Sequence, residues 1–154
     1  MTQTSSLSEH KQWLADISAQ ALSGGHIWPD YAACEAALES NYGQSKLAVL
    51  GNNLFGMKAR INNPFGELTL PTKEFENGAW IDSVAHWVAY PDHAACFKDR
   101  MDTLRRLAPS YPNYANALAA SSGAEYVLSV SKTWSTDPSR GQKVLQIYSL
   151  FFQN

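Results

Sequence analysis

Charge is scarce in this chain and neither sign dominates: 12 basic and 14 acidic residues among 154 give a net charge of −2. No cluster of Lys and Arg stands ready to neutralise phosphates, which argues against non-specific nucleic-acid binding. The same balance argues against electrostatic docking to an anionic membrane or an anionic wall polymer. Long hydrophobic runs are missing as well; none approaches the ~20 residues of a membrane-spanning helix. Cysteine is limited to Cys34 and Cys96, which lie far apart and without the paired spacing of a zinc site. Each sits in a helix-like apolar pattern, so both are read as free buried thiols rather than a disulfide. His10, His26, His86 and His93 show no metal-ligand spacing and read as structural or surface residues. No metal or cofactor is expected. The first eleven residues have neither the basic n-region nor the apolar h-region of a Sec signal peptide.

What the chain does have is an ordinary globular balance, with 45% hydrophobic and 17% charged residues, and many aromatics: five Trp, seven Tyr and six Phe. Aromatic faces suit a sugar-binding groove, but they equally suit a core. The length fits one domain, and a chain of this size buries roughly 70% of its unfolded surface without a metal or disulfide. The expected organisation is a flexible polar N-terminus over 1–7 and a single domain over 8–154.

From about Ser8, Trp13, Leu14, Ile17 and Ala21 fall at helical spacing until Gly24-Gly25. Pro29 and Asp30 open a second helix that stops near Ser40-Asn41, with Gly43 as the left-handed exit. A short helix is expected over 45–50. Residues 51–66 hold four Asn, three Gly and one Pro and read as irregular loop. Strand-like stretches at 68–75 and 80–90 flank Asn77-Gly78, a strong hairpin signal. Helical periodicity returns after Tyr90-Pro91 through Phe97, Met101, Leu104 and Leu107. Further helices are expected at about 113–119, 121–133 and 138–152, the last with Asp137 as N-cap and Pro138 at its first position. This order predicts an α+β domain, mainly helical, with its strands segregated in one small hairpin lobe. A groove between the two lobes would suit an extended polymer.

Glu39 stands out on physical grounds. It ends an apolar helix, where the partial negative charge of the helix C-terminus disfavours an ionised carboxylate. Leu38, Tyr42 and Phe55 are the apolar neighbours that would desolvate it further, and both effects keep an acid protonated. A carboxyl protonated near neutral pH is what general-acid cleavage of a glycosidic bond requires. Taken alone, a Glu in a last helical turn is far more often a plain surface residue.

The neighbours change those odds. Glu39-Ser40-Asn41-Tyr42-Gly43-Gln44-Ser45, followed by Asn53-Leu54-Phe55-Gly56-Met57-Lys58, resembles the signature of bacterial endo-β-N-acetylglucosaminidases, the family of flagellar rod-type peptidoglycan hydrolases and autolysins. The resemblance continues through Thr72 to Gly78, Trp87 to Tyr90, and Ser135-Thr136-Asp137-Pro138, and so spans about residues 8–152. It implies a lysozyme-like fold and hydrolysis of the GlcNAc-β-1,4-MurNAc bond of peptidoglycan glycan strands. Glu39 then matches the family's acid and Glu74 the second carboxylate on the hairpin, with Glu76 its neighbouring rival. Side chains alternate along a strand, so Glu74 and Glu76 share a face; Glu76 abuts the turn, and Glu74 is preferred. Tyr42, Asn53 and Phe55 are the candidate substrate-binding residues. Trp134 stands where the family usually has Tyr; it can stack on a sugar but places no phenolic hydroxyl.

Two rival readings remain. A lytic transglycosylase or muramidase would use one Glu on a related helical lobe and cut the other glycosidic bond. A silent wall-binding domain would keep the groove and lose turnover. Without a leader, export would follow a non-Sec route such as a toxin secretion system or phage lysis, and a toxin would bring an immunity protein as partner. The alternative is that the leader is simply not part of this chain.

Overall fold

The computed structural model describes the backbone of residues 3–153 and the side chains of residues 6–153. Seven helices and one hairpin follow in the order α1 (Gln3–Ser23), α2 (Pro29–Ser40), α3 (Lys46–Gly51), β1 (Gly66–Glu76), β2 (Ala79–Ala89), α4 (His93–Leu107), α5 (Pro112–Leu118), α6 (Gly123–Trp134) and α7 (Arg140–Phe152). The expected α+β architecture is what forms: a helical body with a single two-stranded antiparallel sheet. Among the described residues, no helix is long and apolar enough to cross a membrane.

α2 is the axis of the body. Its run of small residues, Ala32, Ala33, Cys34, Ala36 and Ala37, is buried, and α1, α6 and α7 pack around it. Small side chains let helix backbones approach closely, so α2 is enclosed on most sides rather than amphipathic. Pro29 starts it without forfeiting a hydrogen bond. It ends at Ser40, as expected, and the left-handed exit extends over three residues: Asn41, Tyr42 and Gly43 adopt φ angles of 51°, 55° and 77°. The amides of Asn41 and Tyr42 both reach back to the Ala37 carbonyl. Ser40 locks the turn by donating its hydroxyl to the Ala36 carbonyl at 2.6 Å and accepting from the Gly43 amide at 2.9 Å. Gly43 cannot be replaced here, because a Cβ would sit 2.7 Å from Trp13 Nε1.

The hairpin turns at Asn77-Gly78, whose φ angles of 52° and 81° match the right-handed twist of the strands. Register pairs Glu74 with Ile81, Phe75 with Trp80 and Glu76 with Ala79. Only its base joins the body: Val88 is buried, its amide bonds the Met57 carbonyl at 3.0 Å, and the Tyr90 amide bonds the Gly51 carbonyl at 2.8 Å. The far end is exposed, with the Phe75 and Trp80 rings tilted against each other at 59°, their centroids 5.3 Å apart.

Two boundaries differ from the expected ones. α1 starts at Gln3, inside the stretch expected to be flexible, while Met1 and Thr2 lie outside the described residues. α7 starts at Arg140 rather than Pro138. Asp137 does not cap the helix; it accepts from the Ser139 amide at 2.9 Å and hydroxyl at 2.7 Å, closing a separate turn. The cysteines are as expected, both buried and unpaired.

Candidate active site

Of the three carboxylates on α2, Glu35 and Glu39 lie one helical turn apart on the same face. Their surroundings shift their acidities in opposite directions. Glu35 is fully buried. It accepts from Arg100 Nη2 at 2.9 Å and Nη1 at 3.3 Å, from Arg140 Nη2 at 2.9 Å, and from the Tyr126 hydroxyl at 2.6 Å. Burial pushes its pKa up, but the two guanidiniums outweigh that and hold it down at about 2. Glu35 is therefore a permanent anion, and isolated it would be prohibitively costly to bury.

The network continues to His26. Its Nδ1 accepts from the Trp28 amide at 2.9 Å, so Nε2 carries the proton and donates to the Tyr126 hydroxyl 3.2 Å away. Tyr126 in turn donates to Glu35. Burial keeps this imidazole neutral, with its pKa lowered to about 4. On the other flank the Arg100 guanidinium lies between two rings, 4.4 Å from the Phe55 centroid and 4.0 Å from that of Trp134. Cation–π contacts of this kind gain strength when desolvated.

Glu39 sits one turn further out, where α2 reaches the surface, yet its side chain is only 20% exposed. Arg140 Nη2 approaches its Oε2 to 3.4 Å. Burial raises the Glu39 pKa, the positive charges of Arg140 and Arg100 pull it back, and the balance stays above the ordinary Glu range. A partly shielded carboxyl whose pKa is raised holds its proton more firmly than a free Glu, and one that opens toward solvent can deliver it to a bound ligand.

The other expected site residues are distributed differently. Glu74 lies on the exposed part of β1, sharing a face with Leu68, Leu70 and Thr72, which are half-buried. Glu76 is on that same face and exposed beside the turn. Trp134 is half-buried, one face occupied by Arg100. Asn53 is buried, donates to the Met57 and Val88 carbonyls at 2.9 Å each, and accepts from the Met57 amide at 3.0 Å. Its amide holds the 53–57 loop to the hairpin base. Phe55 is likewise turned inward, edge-on to Phe97 and Trp134. Tyr42 is pinned against His10, with ring centroids 3.6 Å apart, and edge-on to Trp13 and Phe151.

Glu35, Arg100, Arg140, Tyr126 and His26 were not singled out in the sequence. One signal was available: a lone Glu inside an apolar, Ala-rich helix demands buried partners. A separate cleft of about 940 Å³ opens between α6, α7 and their connecting loop, lined by Tyr111, Ser131, Thr133, Ser135, Thr136 and Gln142 among others. Glu39 is not among its lining residues, although Ser131 accepts from Arg140 Nη1 at 2.8 Å.

A helical body, a projecting hairpin and a shielded Glu at the end of an enclosed helix define a lysozyme-like domain. More narrowly, the chain belongs to the glucosaminidase family, described as mannosyl-glycoprotein endo-β-N-acetylglucosaminidase, which residues 15–151 match. Related proteins include a probable N-acetylmuramidase of Lactococcus lactis subsp. cremoris, 27% identical over 81% of this chain and 29% of the relative. Another is the exo-glucosaminidase LytG of Bacillus subtilis, 28% identical over 79% of this chain and 43% of the relative. The chain thus spans less than half the length of either. Among solved structures, the catalytic domain of the autolysin Auto from Listeria monocytogenes superposes with a TM-score of 0.78 at 26% identity, covering 93% of this chain and 84% of that one. The truncated glycoside hydrolase domain of FlgJ from Salmonella typhimurium gives 0.73 at 24% identity, covering 94% and 99%, a likeness of fold.

Proposed function

We propose that the protein hydrolyses the GlcNAc-β-1,4-MurNAc bond of peptidoglycan at the cell wall, with Glu39 as general acid and Glu74 as second carboxylate. The observation that carries this reading is the contrast between Glu39 and Glu35, one turn apart on one helix: Glu35 is locked as an anion, and Glu39 is shielded and biased toward its protonated form. Glu39 donates its proton to the glycosidic oxygen as the bond breaks, which neutralises the leaving group. Glu74 stands on a separate element, the hairpin arm, where it is exposed and can hydrogen-bond a water. A carboxylate on a separate arm fits the wide geometry, ~6.5–9.5 Å, that admits a water and inverts the anomeric centre. Trp134, Tyr42, Asn53 and Phe55 are the side chains proposed to contact the glycan.

The relatives' names divide between glucosaminidase and muramidase, which favours one alternative: cleavage of the MurNAc–GlcNAc bond by the same Glu39. Digestion of purified peptidoglycan, with released reducing ends read by mass spectrometry, separates the two. Reducing GlcNAc from the wild type, with turnover reduced by about 10²–10⁴-fold in Glu39→Gln, supports the glucosaminidase. Reducing or anhydro-MurNAc moves the cut to the other bond. Full activity in Glu39→Gln sinks the role of Glu39. Glu74→Gln is expected to lower kcat with little change in binding, and an unchanged kcat would remove Glu74 from the mechanism.

A further inference from the structure

We propose that Glu35 and Arg140 are a positioning pair for Glu39, in which Glu35 neutralises part of the charge that Arg140 would otherwise direct at the acid. This rests on the reading of Glu39 as general acid and adds two residues, neither of which touches substrate. The geometry is a shared nitrogen: Arg140 Nη2 lies 2.9 Å from Glu35 Oε2 and 3.4 Å from Glu39 Oε2. One guanidinium therefore faces two carboxylates and holds the inner one more closely. Its other terminal nitrogen is fixed by Ser131, and the side chain is only 2% exposed, so it cannot swing away.

The charge count shows what the arrangement does. The groups that act on Glu39 from the surrounding elements are Glu35 on α2, Arg100 and Cys96 on α4, Tyr114 on α5, and Arg140 on α7. Tyr126 on α6, with His26 behind it, acts through Glu35. Burial keeps the Cys96 thiol and the Tyr114 and Tyr126 phenols neutral, and His26 is neutral too. Three ions remain: Glu35, Arg100 and Arg140. Together they leave one excess positive charge beside Glu39, which opposes the upward push of burial without cancelling it. Without the Glu35 charge there would be two, and a carboxyl beside them would ionise. With the Arg140 charge removed there would be none, and burial would act on Glu39 unopposed.

These two perturbations shift Glu39 in opposite directions, which a merely structural role would not produce. The pH dependence of kcat/KM on peptidoglycan is to be measured for wild type, Glu35→Gln, Arg140→Gln, Arg140→Lys and Tyr126→Phe. In parallel, the Glu39 carboxyl is titrated by carbon-13 NMR. Glu35→Gln is expected to move the alkaline limb down by about one pH unit or more and Arg140→Gln to move it up by a similar amount. Arg140→Lys keeps the charge and should stay near wild type. Tyr126→Phe loosens the network without changing a charge and should leave the limb in place. Limbs that coincide with wild type in both charge-removing variants, or that shift the same way, overturn the proposal. If Glu35→Gln does not fold, the contrast between Arg140→Gln and Arg140→Lys decides: an equal limb in both overturns it. Should Glu39 prove not to be the acid, activity limbs lose their meaning, but the NMR titrations still read the coupling and test the pair separately.

Discussion

His26 and Glu35 are held in single protonation states, and each makes stability depend on pH in its own window. The folded pKa of His26 is lowered from 6.5 to about 4 by burial, so its contribution is complete above 6.5 and is lost as pH falls toward 4. Glu35 is lowered from 4.5 to about 2, because its guanidinium partners outweigh burial; its contribution holds above 4.5 and is lost as pH falls toward 2. Each loss is on the order of 3 kcal/mol. Denaturant unfolding from pH 8 to 2 should therefore show two successive declines, and His26→Gln should abolish only the upper one. A single decline below pH 4.5 in the wild type would show that His26 is not held neutral. At this scale the sequence was legible for Glu39, whose place at a helix end is a local feature. It was illegible for Arg100 and Arg140, which reach Glu35 across 65 and 105 residues of chain. The part Asn53 plays in holding its own loop was equally illegible, because an Asn in a loop offers its amide to backbone carbonyls as readily as to a ligand.

The elements follow from local chemistry wherever one signal dominates. Asn77-Gly78 closes the hairpin at the expected turn because few other residues accept two consecutive positive φ angles. The start of α7 was displaced because two local solutions compete: Asp137 closes a turn on Ser139 and pairs with Lys143 at 2.7 Å, which leaves the helix to begin at Arg140. That displacement matters, since it puts Arg140 in the first turn of α7, beside the end of α2. The start of α6 is equally constrained. A Cβ on Gly123 would lie 2.0 Å from the Tyr31 ring, which is itself stacked on Tyr148 at 3.9 Å. Gly123→Ala is expected to cost about 2–3 kcal/mol by overpacking the junction of α2, α6 and α7. On a domain of this size that should lower Tm by roughly 5–10 °C. A calorimetric scan with Tm unchanged would mean that the Tyr31–Tyr148 pair yields more freely than its stacking indicates.

Over the whole molecule the division is between a helical body, which holds Glu39 and the buried ion network, and an arm tied down at one end. The fold class was readable because helical and strand periodicities occupy separate stretches of chain and the turn signals fall between them. How the body closes around α2 was not readable, since a row of alanines says that neighbours come close without saying which neighbours. Cys34 and Cys96 belong to that closed interior. Both are buried and unpaired, and burial pushes both thiols well above their usual pKa, to about 12 for Cys96. Alkylating reagents attack the thiolate, so labelling with iodoacetamide at pH 8 should proceed only on global unfolding and accelerate sharply in denaturant. Prompt labelling of either cysteine in native buffer would contradict this burial. It follows that the covalent structure is blind to electrochemical potential: the chain folds to the same molecule in a glutathione-rich lumen and in an aerated medium, needing no oxidase, no isomerase and no refolding between them.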